Sequence, residues 1–245
     1  IAAYADKIIF AAKAVQDSFE SVVDNVIDDK LIIHPQGIYQ TLERNADSYK
    51  DIRKRLGLNN ESKLVVNVGY ADLRKGFDIF VNLAKVLVAR DNNYHFLWIG
   101  DIEPSLKRWL KSDLDSELLS ANFHNVPFTN EISSYLVAAD VFAMTSREDP
   151  FPSVVMESLA LGTPVVGFNG GGGFTELLEN ALNGQAVEMA NIEAMATAIQ
   201  YEASSNTHEK EELRIDAAVS AFKWDDYVFS LVEYLDPSIK RISVA

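Results

Sequence analysis

The chain has 245 residues, of which 48% are hydrophobic and 24% are charged, so it is long enough to bury a sizeable core. Its formal net charge of −14, from 22 basic and 36 acidic residues, argues against nucleic acid or a phospholipid surface as a partner. It contains no cysteine, which excludes disulfides and thiolate chemistry and fits a reducing, cytoplasmic location.

Short apolar runs recur along the chain and predict eight β-strands. Most of these runs are continuous rather than alternating, which is typical of strands covered on both faces. The predicted strands are 7–12, 30–34, 63–69, 94–100, 123–128, 140–146, 163–169 and 185–189.

Helical periods lie between the predicted strands. In 77–90, Phe80, Leu83 and Leu87 fall on one stripe. The alternation of strands and helices predicts an α/β fold, a Rossmann-like doubly wound parallel sheet. In such a sheet the ligand lies beyond the carboxyl ends of the strands, at the topological switch point. The other predicted helices are 104–119, 131–139, 152–161, 174–180, 191–203, 209–222 and 225–235.

The first 25 residues fit this domain poorly. They supply one strand and one helix, and an acid-rich connection follows at 24–30. We interpret 1–25 as the remnant of a preceding N-terminal domain, 26–235 as the main domain and 236–245 as a C-terminal tail. No signal peptide and no apolar run of about 18 residues is evident, so membrane contact is not expected.

The stretch SREDPFPSVVMESLALG (146–162) places acids at the start of an apolar helix. Pro152 suits the first turn, and the free N–H groups of Ser153 and Val154 then form an anion site at the sheet edge. Glu157 shares a helix face with Ser153. A buried carboxylate without a partner is costly, so Glu157 faces a ligand with hydroxyl groups, or it forms a salt bridge or cap inside the fold.

Two further stretches follow predicted strands. In VGYADLRKGFD (68–78), Arg74 and Lys75 precede a helix start, which favours binding of a diphosphate, although a solvated basic turn is the alternative. In GFNGGGGFTEL (167–177), four glycines allow close approach of a ligand or of a neighbouring loop. Glu176 stabilises the following helix start in the simplest interpretation.

Several kinds of site are not indicated. The four histidines lack metal-ligand spacing, and neither a nucleophile elbow nor a P-loop is present. Asp113 and Asp115 form a D-x-D, but their place within a predicted helix favours a solvated charged face. The three tryptophans, Trp98, Trp109 and Trp224, are expected to be core or packing residues.

Together these stretches resemble the donor-binding, C-terminal half of a GT-B retaining glycosyltransferase of family 4, the glycosyl transferases group 1. The resemblance covers most of 30–235 and depends mainly on AADVFAMTSREDPFPSVVMESLALGTPVVGFNGGGGFTEL (138–177), with VGYADLRKGFDIF and HNVPFTN in support. It implies two Rossmann-like domains in the whole enzyme, of which this chain holds one.

The family hallmark is a pair of glutamates with seven residues between them, which corresponds here to Asp149 and Glu157. The resemblance implies that Glu157 binds the ribose of the nucleotide and that Asp149 orients the transferred sugar. It also implies that the amides of Ser153 and Val154 contact the diphosphate or ribose, and we group Phe151 with them as substrate-binding.

The family also uses a lysine and an arginine on the leaving diphosphate. Lys75 matches the lysine, whereas Tyr70 stands where the arginine usually follows the strand glycine, Gly69. Arg74 is the candidate replacement. The resemblance places the base near the loop 125–128, so Val126 and Phe128 are predicted to bind it, together with Gly69.

The resemblance implies transfer of a sugar from a nucleoside-diphosphate sugar to a glycan, lipid or protein acceptor, as in polysaccharide biosynthesis. No metal and no cofactor are expected. The acceptor hydroxyl attacks the anomeric carbon with retained configuration. The partner is an N-terminal acceptor domain, and this half alone is expected to be inactive. The alternatives are a non-catalytic nucleotide-sugar-binding or scaffolding module and a GT-B epimerase.

Overall fold

The structure is a computed structural model that describes residues 4–23, 28–180, 182–205 and 207–239. Six parallel strands form its main sheet, and all of them follow predicted apolar runs. Their bounds are β3 Lys63–Val68, β4 Tyr94–Ile99, β5 Phe123–Val126, β6 Val141–Met144, β7 Val165–Phe168 and β8 Gly184–Val187. The predicted α/β fold with a doubly wound parallel sheet is confirmed.

The spatial order of the strands is β5-β4-β3-β6-β7-β8. The chain therefore builds one half of the sheet outward from β3, returns to its middle, and builds the other half outward from β6. This is the strand order of a Rossmann fold, and β3 and β6 flank its topological switch point. The loops that leave these two strands carry the stretches 69–76 and 145–152.

Helices cover both faces of the sheet. On one face, α3 (Phe77–Arg90) and α8 (Ile192–Ser205) pack together over a core that includes Phe80, Trp98 and Ile199. The other face is covered by four helices: α2 Ala46–Arg55, α6 Ile132–Ala138, α7 Ser153–Ala160 and α9 His208–Ala221. Because both faces are covered, the central strands β6 and β7 are apolar and buried along their whole length, as the sequence predicts.

A small second sheet lies before the main one. Its strands, β1 (Ile8–Phe10) and β2 (Leu31–Ile33), pair in parallel, and α1 (Lys13–Glu20) and a 3₁₀ turn (Asp28–Lys30) lie between them in the chain. The predicted domain boundary after residue 25 lies outside the described residues. It falls between two strands that pair with each other, and the division into domains stays a prediction.

The last helix, α10 (Trp224–Leu235), packs on the segment that follows β2. The N–H of Ile38 donates to the carbonyl of Phe222 at 2.9 Å, and the ring of His34 stacks on Tyr227 at 4.9 Å. A Cβ on Gly37 would lie only 3.0 Å from the Cα of Trp224, so glycine favours this close approach. No helix among the described residues is long and apolar enough to span a bilayer.

The structure corrects four expectations. Helix α2 was not predicted, because its sequence is polar. The predicted helix 104–119 is split into α4 (Pro104–Trp109) and α5 (Lys111–Leu114), since the backbone of Leu110 has φ −91° and ψ 5°. The predicted helix 174–180 is a 3₁₀ helix at Gly173–Glu179. Trp109 is exposed rather than packed in the core.

Candidate functional site

The loop after β3 is built to present Lys75 at the switch point. The N–H of Lys75 donates to the side chain of Asp72 at 2.7 Å. Gly76 directly precedes α3 in the left-handed region with φ 71°, and a Cβ there would lie 1.9 Å from the carbonyl oxygen of Thr145. A Cβ on Gly69 would lie 3.3 Å from the lysine side chain. The two glycines therefore let the loop pass close to β6 and let the lysine fold over β3.

Lys75 and Asp149 meet in an ion pair. Lys75 follows β3 and Asp149 follows β6, so the pair bridges the two strands at the switch point. Both side chains are largely buried, yet Asp149 also lines a cavity of about 190 Å³. The structure thus brings together two of the three residues predicted to be catalytic.

Arg74 lies at the edge of this pair. Its side chain is exposed, and Nη1 donates to the backbone carbonyl of Glu148 at 3.0 Å. The guanidinium is therefore held beside the loop that carries Asp149. Glu148 itself is exposed next to the same cavity.

Glu157 is buried on α7, with 4% of its surface exposed. Burial raises the pKa of this carboxyl group, and a hydrogen bond with the hydroxyl of Ser153 lowers it in part. The contact with Ser153 confirms that the two residues share a helix face. None of the salt bridges among the described residues includes Glu157, so the predicted alternative of an internal salt bridge is not what the structure shows there.

The start of α7 leaves backbone donors free. Pro152 precedes the helix with φ −72° and ψ 116°, and the first turn bond runs from the N–H of Val155 to the carbonyl of Pro152 at 3.1 Å. Within the described part of the chain, the N–H groups of Ser153 and Val154 have no hydrogen-bond acceptor. A helix start of this kind attracts an anion.

A second cavity, of about 250 Å³, opens between the ends of β3 and β4 and the loop after β5. It is mostly apolar, and two exposed aromatic side chains, Tyr70 and Phe128, lie at its edge. Gly69 also lines it, whereas Val126 packs on the core and does not. Val126 is the last residue of β5, and the chain turns toward the cavity only after it, so its predicted role in binding the base stays a prediction.

The glycine run serves chain packing, one of its two predicted uses. A Cβ on Gly172 would lie 1.7 Å from the carbonyl oxygen of Asp149, and one on Gly173 would lie 2.1 Å from the Cβ of Ala12. Phe151 packs beside Gly173. The run therefore supports the loop of Asp149 and allows α1 to approach it. Glu176 reaches the same place, since its carboxylate accepts the N–H of Lys13 at 3.2 Å.

The D-x-D of the sequence lies away from this site. Asp113 pairs with Lys85 at 2.8 Å, and Asp115 pairs with Lys111 one helical turn earlier. Both are surface ion pairs, as the solvated-face interpretation predicts. Over the described ranges, no group of three or more histidine or acidic side chains is placed to hold a metal ion.

Comparison with known proteins identifies the family. Residues 48–218 match the family of Glycosyl transferases group 1, and this segment includes both loops at the switch point. The chain belongs to the glycosyl transferases group 1 family. The suspected resemblance is thus confirmed, and so is the GT-B type of fold for this half.

Individual relatives of this group 1 chain are glycosyltransferases. An uncharacterized glycosyltransferase of Haemophilus influenzae is 36% identical over 137 residues, which cover 55% of this chain and 38% of that protein. A structure of Anabaena Alr3699/HepE in complex with UDP-glucose has a TM-score of 0.82 and 21% identity, and the match covers 96% of this chain and 64% of that one.

A third match is the structure of WaaG, a glycosyltransferase involved in lipopolysaccharide biosynthesis. Its TM-score is 0.78 at 18% identity, over 94% of this chain and 62% of WaaG. The group 1 chain thus spans less than two thirds of each of these relatives. At these identities the two structures show the fold alone.

Sequence reasoning missed two residues of the candidate site in this group 1 chain, Arg147 and Asp78. They form a bidentate ion pair beside Lys75, with both N–O distances at 2.8 Å. Burial alone would raise the pKa of Asp78, but the hydrogen bonds and charge of Arg147 hold it below its usual value. The only sequence signal is an arginine after Ser146 and an acid in the first turn of α3, which are common surface features.

Proposed function

We propose that this chain is the donor-binding domain of a retaining glycosyltransferase that uses a nucleoside-diphosphate sugar. One observation carries the proposal: Lys75 and Asp149 form an ion pair at the topological switch point. A cation, a carboxylate and the free start of α7 then lie at the edge where doubly wound sheets bind nucleotides. Membership of the group 1 family supports the same assignment.

The residues take complementary roles along the donor. The base occupies the cavity between Tyr70 and Phe128, with Gly69 beneath it. Glu157, which is buried and hydrogen-bonded to Ser153, accepts further hydrogen bonds from the ribose hydroxyls. The diphosphate then lies across the start of α7.

Lys75 and Asp149 separate when the donor binds. The ammonium group moves from the carboxylate to the diphosphate, and Asp149 accepts hydrogen bonds from the transferred sugar. As the acceptor oxygen bonds to the anomeric carbon, the bond from that carbon to the diphosphate breaks, charge develops on the phosphate, and the departing diphosphate oxygen takes up the proton of the acceptor hydroxyl. Lys75, Arg74 and the amides of Ser153 and Val154 stabilise this charge without a metal ion.

We also propose that the whole enzyme needs a further domain. The chain spans only 38% of its Haemophilus relative and 64% of HepE, so acceptor binding is assigned to the remaining part of the protein. The chain alone is then a nucleotide-sugar-binding module with little or no transfer activity. We expect a cytoplasmic location. A role in glycan or lipopolysaccharide assembly is consistent with the likeness to WaaG, a glycosyltransferase involved in lipopolysaccharide biosynthesis.

Titration calorimetry with UDP, GDP and their sugar esters tests the proposal. We expect the 245-residue chain to bind one of these nucleotide classes. Lys75→Ala and Glu157→Gln should each weaken binding by about tenfold or more, because a hydrogen bond to a charged group contributes about 1.5–3 kcal/mol.

The matched control is Arg90→Gln, which removes a surface ion pair with Glu193 at the far end of α3 and should leave binding unchanged. A folded chain that binds none of these nucleotides would contradict the proposal. That outcome would favour a scaffolding module. The observation that supports this alternative is Tyr70, which stands where the family arginine usually follows the strand glycine.

A further inference from the structure

Arg147 joins the two loops of the candidate site. It lies two residues before Asp149, and its guanidinium reaches the first turn of α3. There Nη1 and Nη2 each donate to a different carboxylate oxygen of Asp78 at 2.8 Å. Nη1 also donates to the carbonyl of Leu73 at 2.5 Å, so one side chain contacts both the helix and the loop before it.

The backbone repeats this connection. Three successive carbonyls of the first loop accept hydrogen bonds from the loop after β6. Besides the bond to Leu73, the N–H of Arg147 donates to the carbonyl of Arg74 at 2.8 Å, and the hydroxyl of Thr145 donates to the carbonyl of Lys75 at 3.2 Å. The backbone of the loop that carries Lys75 is therefore held against the loop of Asp149 from outside the site, while the lysine side chain stays free to turn toward the diphosphate.

This ion pair contributes little to the stability of the fold. The side chains of Arg147 and Asp78 are 43% and 26% exposed, and an ion pair in contact with water adds little to the free energy of unfolding. Its two parallel hydrogen bonds do specify orientation, which a point charge would not. The ion pair therefore fixes the relative orientation of the two loops rather than stabilising the fold.

We propose that Arg147 and Asp78 act as a positioning clamp that holds Lys75 in place for the diphosphate of the donor. The inference rests on the proposed function, because it assigns the clamp to the same site. With the clamp closed, the loop of Lys75 is already ordered, so binding of a diphosphate loses little conformational entropy in the two loops. The clamp does not touch the cavity at Tyr70 and Phe128, so binding of the base and ribose does not depend on it.

The test compares nucleoside monophosphates with diphosphates. Titration of UMP, UDP, GMP and GDP into the wild-type chain gives the gain in affinity that the second phosphate provides. In Arg147→Gln and in Asp78→Asn we expect diphosphate affinity to fall by about tenfold, whereas monophosphate affinity stays within about twofold. A general loss of structure would weaken both ligands equally.

Two further variants separate geometry from charge. Arg147→Lys keeps the charge but lacks the fork, so it should behave like Arg147→Gln. The exchanged pair Arg147→Asp with Asp78→Arg should recover part of the diphosphate affinity. Arg90→Gln is the control and should match the wild type, because Arg90 lies on α3 like Asp78 and also forms an ion pair. Thermal unfolding confirms that each variant is folded.

The outcomes are distinct. If the wild-type chain binds these nucleotides and the second phosphate increases the affinity of Arg147→Gln as much as that of the wild type, the clamp is overturned and the proposed function stands. A wild-type chain that binds none of the four nucleotides would overturn both. Equal losses for monophosphate and diphosphate in the variants would reduce Arg147 to a structural role and overturn the clamp as well.

Discussion

Gly172 shows how a single residue can control the candidate site from behind it. Its backbone has φ 147° and ψ −176°, a conformation that is essentially restricted to glycine. The carbonyl oxygen of Asp149 lies where a side chain would begin. The loop that carries Asp149 therefore rests directly on the backbone of the glycine run.

Replacing Gly172 by alanine should consequently damage both stability and binding. We expect Gly172→Ala to lower the free energy of unfolding by about 3 kcal/mol, from backbone strain and steric overlap together. Gly170→Ala is the control, since this residue also has a positive φ, 78°, but no atom lies within 4 Å of the added Cβ. It should cost only about 1 kcal/mol. Urea unfolding measures both, and equal losses would show that the contact with Asp149 is unimportant.

At the scale of an element, α2 depends on one buried arginine. Arg53 is 7% exposed and donates to the carbonyl of Ala138 at 3.2 Å, to the carboxylate of Asp140 at 3.1 Å and to the carbonyl of Ser62. The same carboxylate accepts the N–H of Leu64 at 2.7 Å. The helix is thus attached to the starts of β3 and β6 by polar contacts as well as by Ile52.

Loss of this arginine should detach α2. Because it leaves buried carbonyls and a carboxylate without their partner, we expect Arg53→Ala to lower the free energy of unfolding by about 3 kcal/mol or more. Arg55→Ala, two residues further along α2, removes exposed ion pairs with Asp51 and Glu131 and should cost less than about 1 kcal/mol. Chemical denaturation of the two variants would refute the account if their losses were the same.

At the scale of the whole molecule, two histidines make stability depend on pH. His95 on β4 and His124 on β5 lie side by side, with their ring nitrogens 3.3 Å apart. Burial, with repulsion from His124 and Arg53, lowers the pKa of His95 to about 4, and burial also lowers the pKa of His124. An unfolded histidine has a pKa of about 6.5.

The sign of the effect follows from these pKa values. Below pH 6.5 or so the unfolded chain binds protons that the folded chain does not, so the stabilisation is complete above that pH and is lost as pH falls toward 4. We expect the drop in the free energy of unfolding between about pH 7.5 and pH 5 to be smaller in His95→Gln than in the wild type. His208→Gln, on an exposed side chain, should behave like the wild type. An equal drop in all three proteins would exclude the histidine pair as its cause.

The amino-acid sequence by itself determined the eight strands, most of the helices, the parallel sheet and the stretches around Lys75 and Glu157. These features follow from local patterns, because continuous apolar runs specify strands that are buried on both faces. Only the tertiary structure decided that α2 forms, that Gly172 supports Asp149 and that Arg147 reaches Asp78. Each of these depends on a contact between residues far apart in the chain, and the strand order that brings β3 beside β6 is not written in any local pattern.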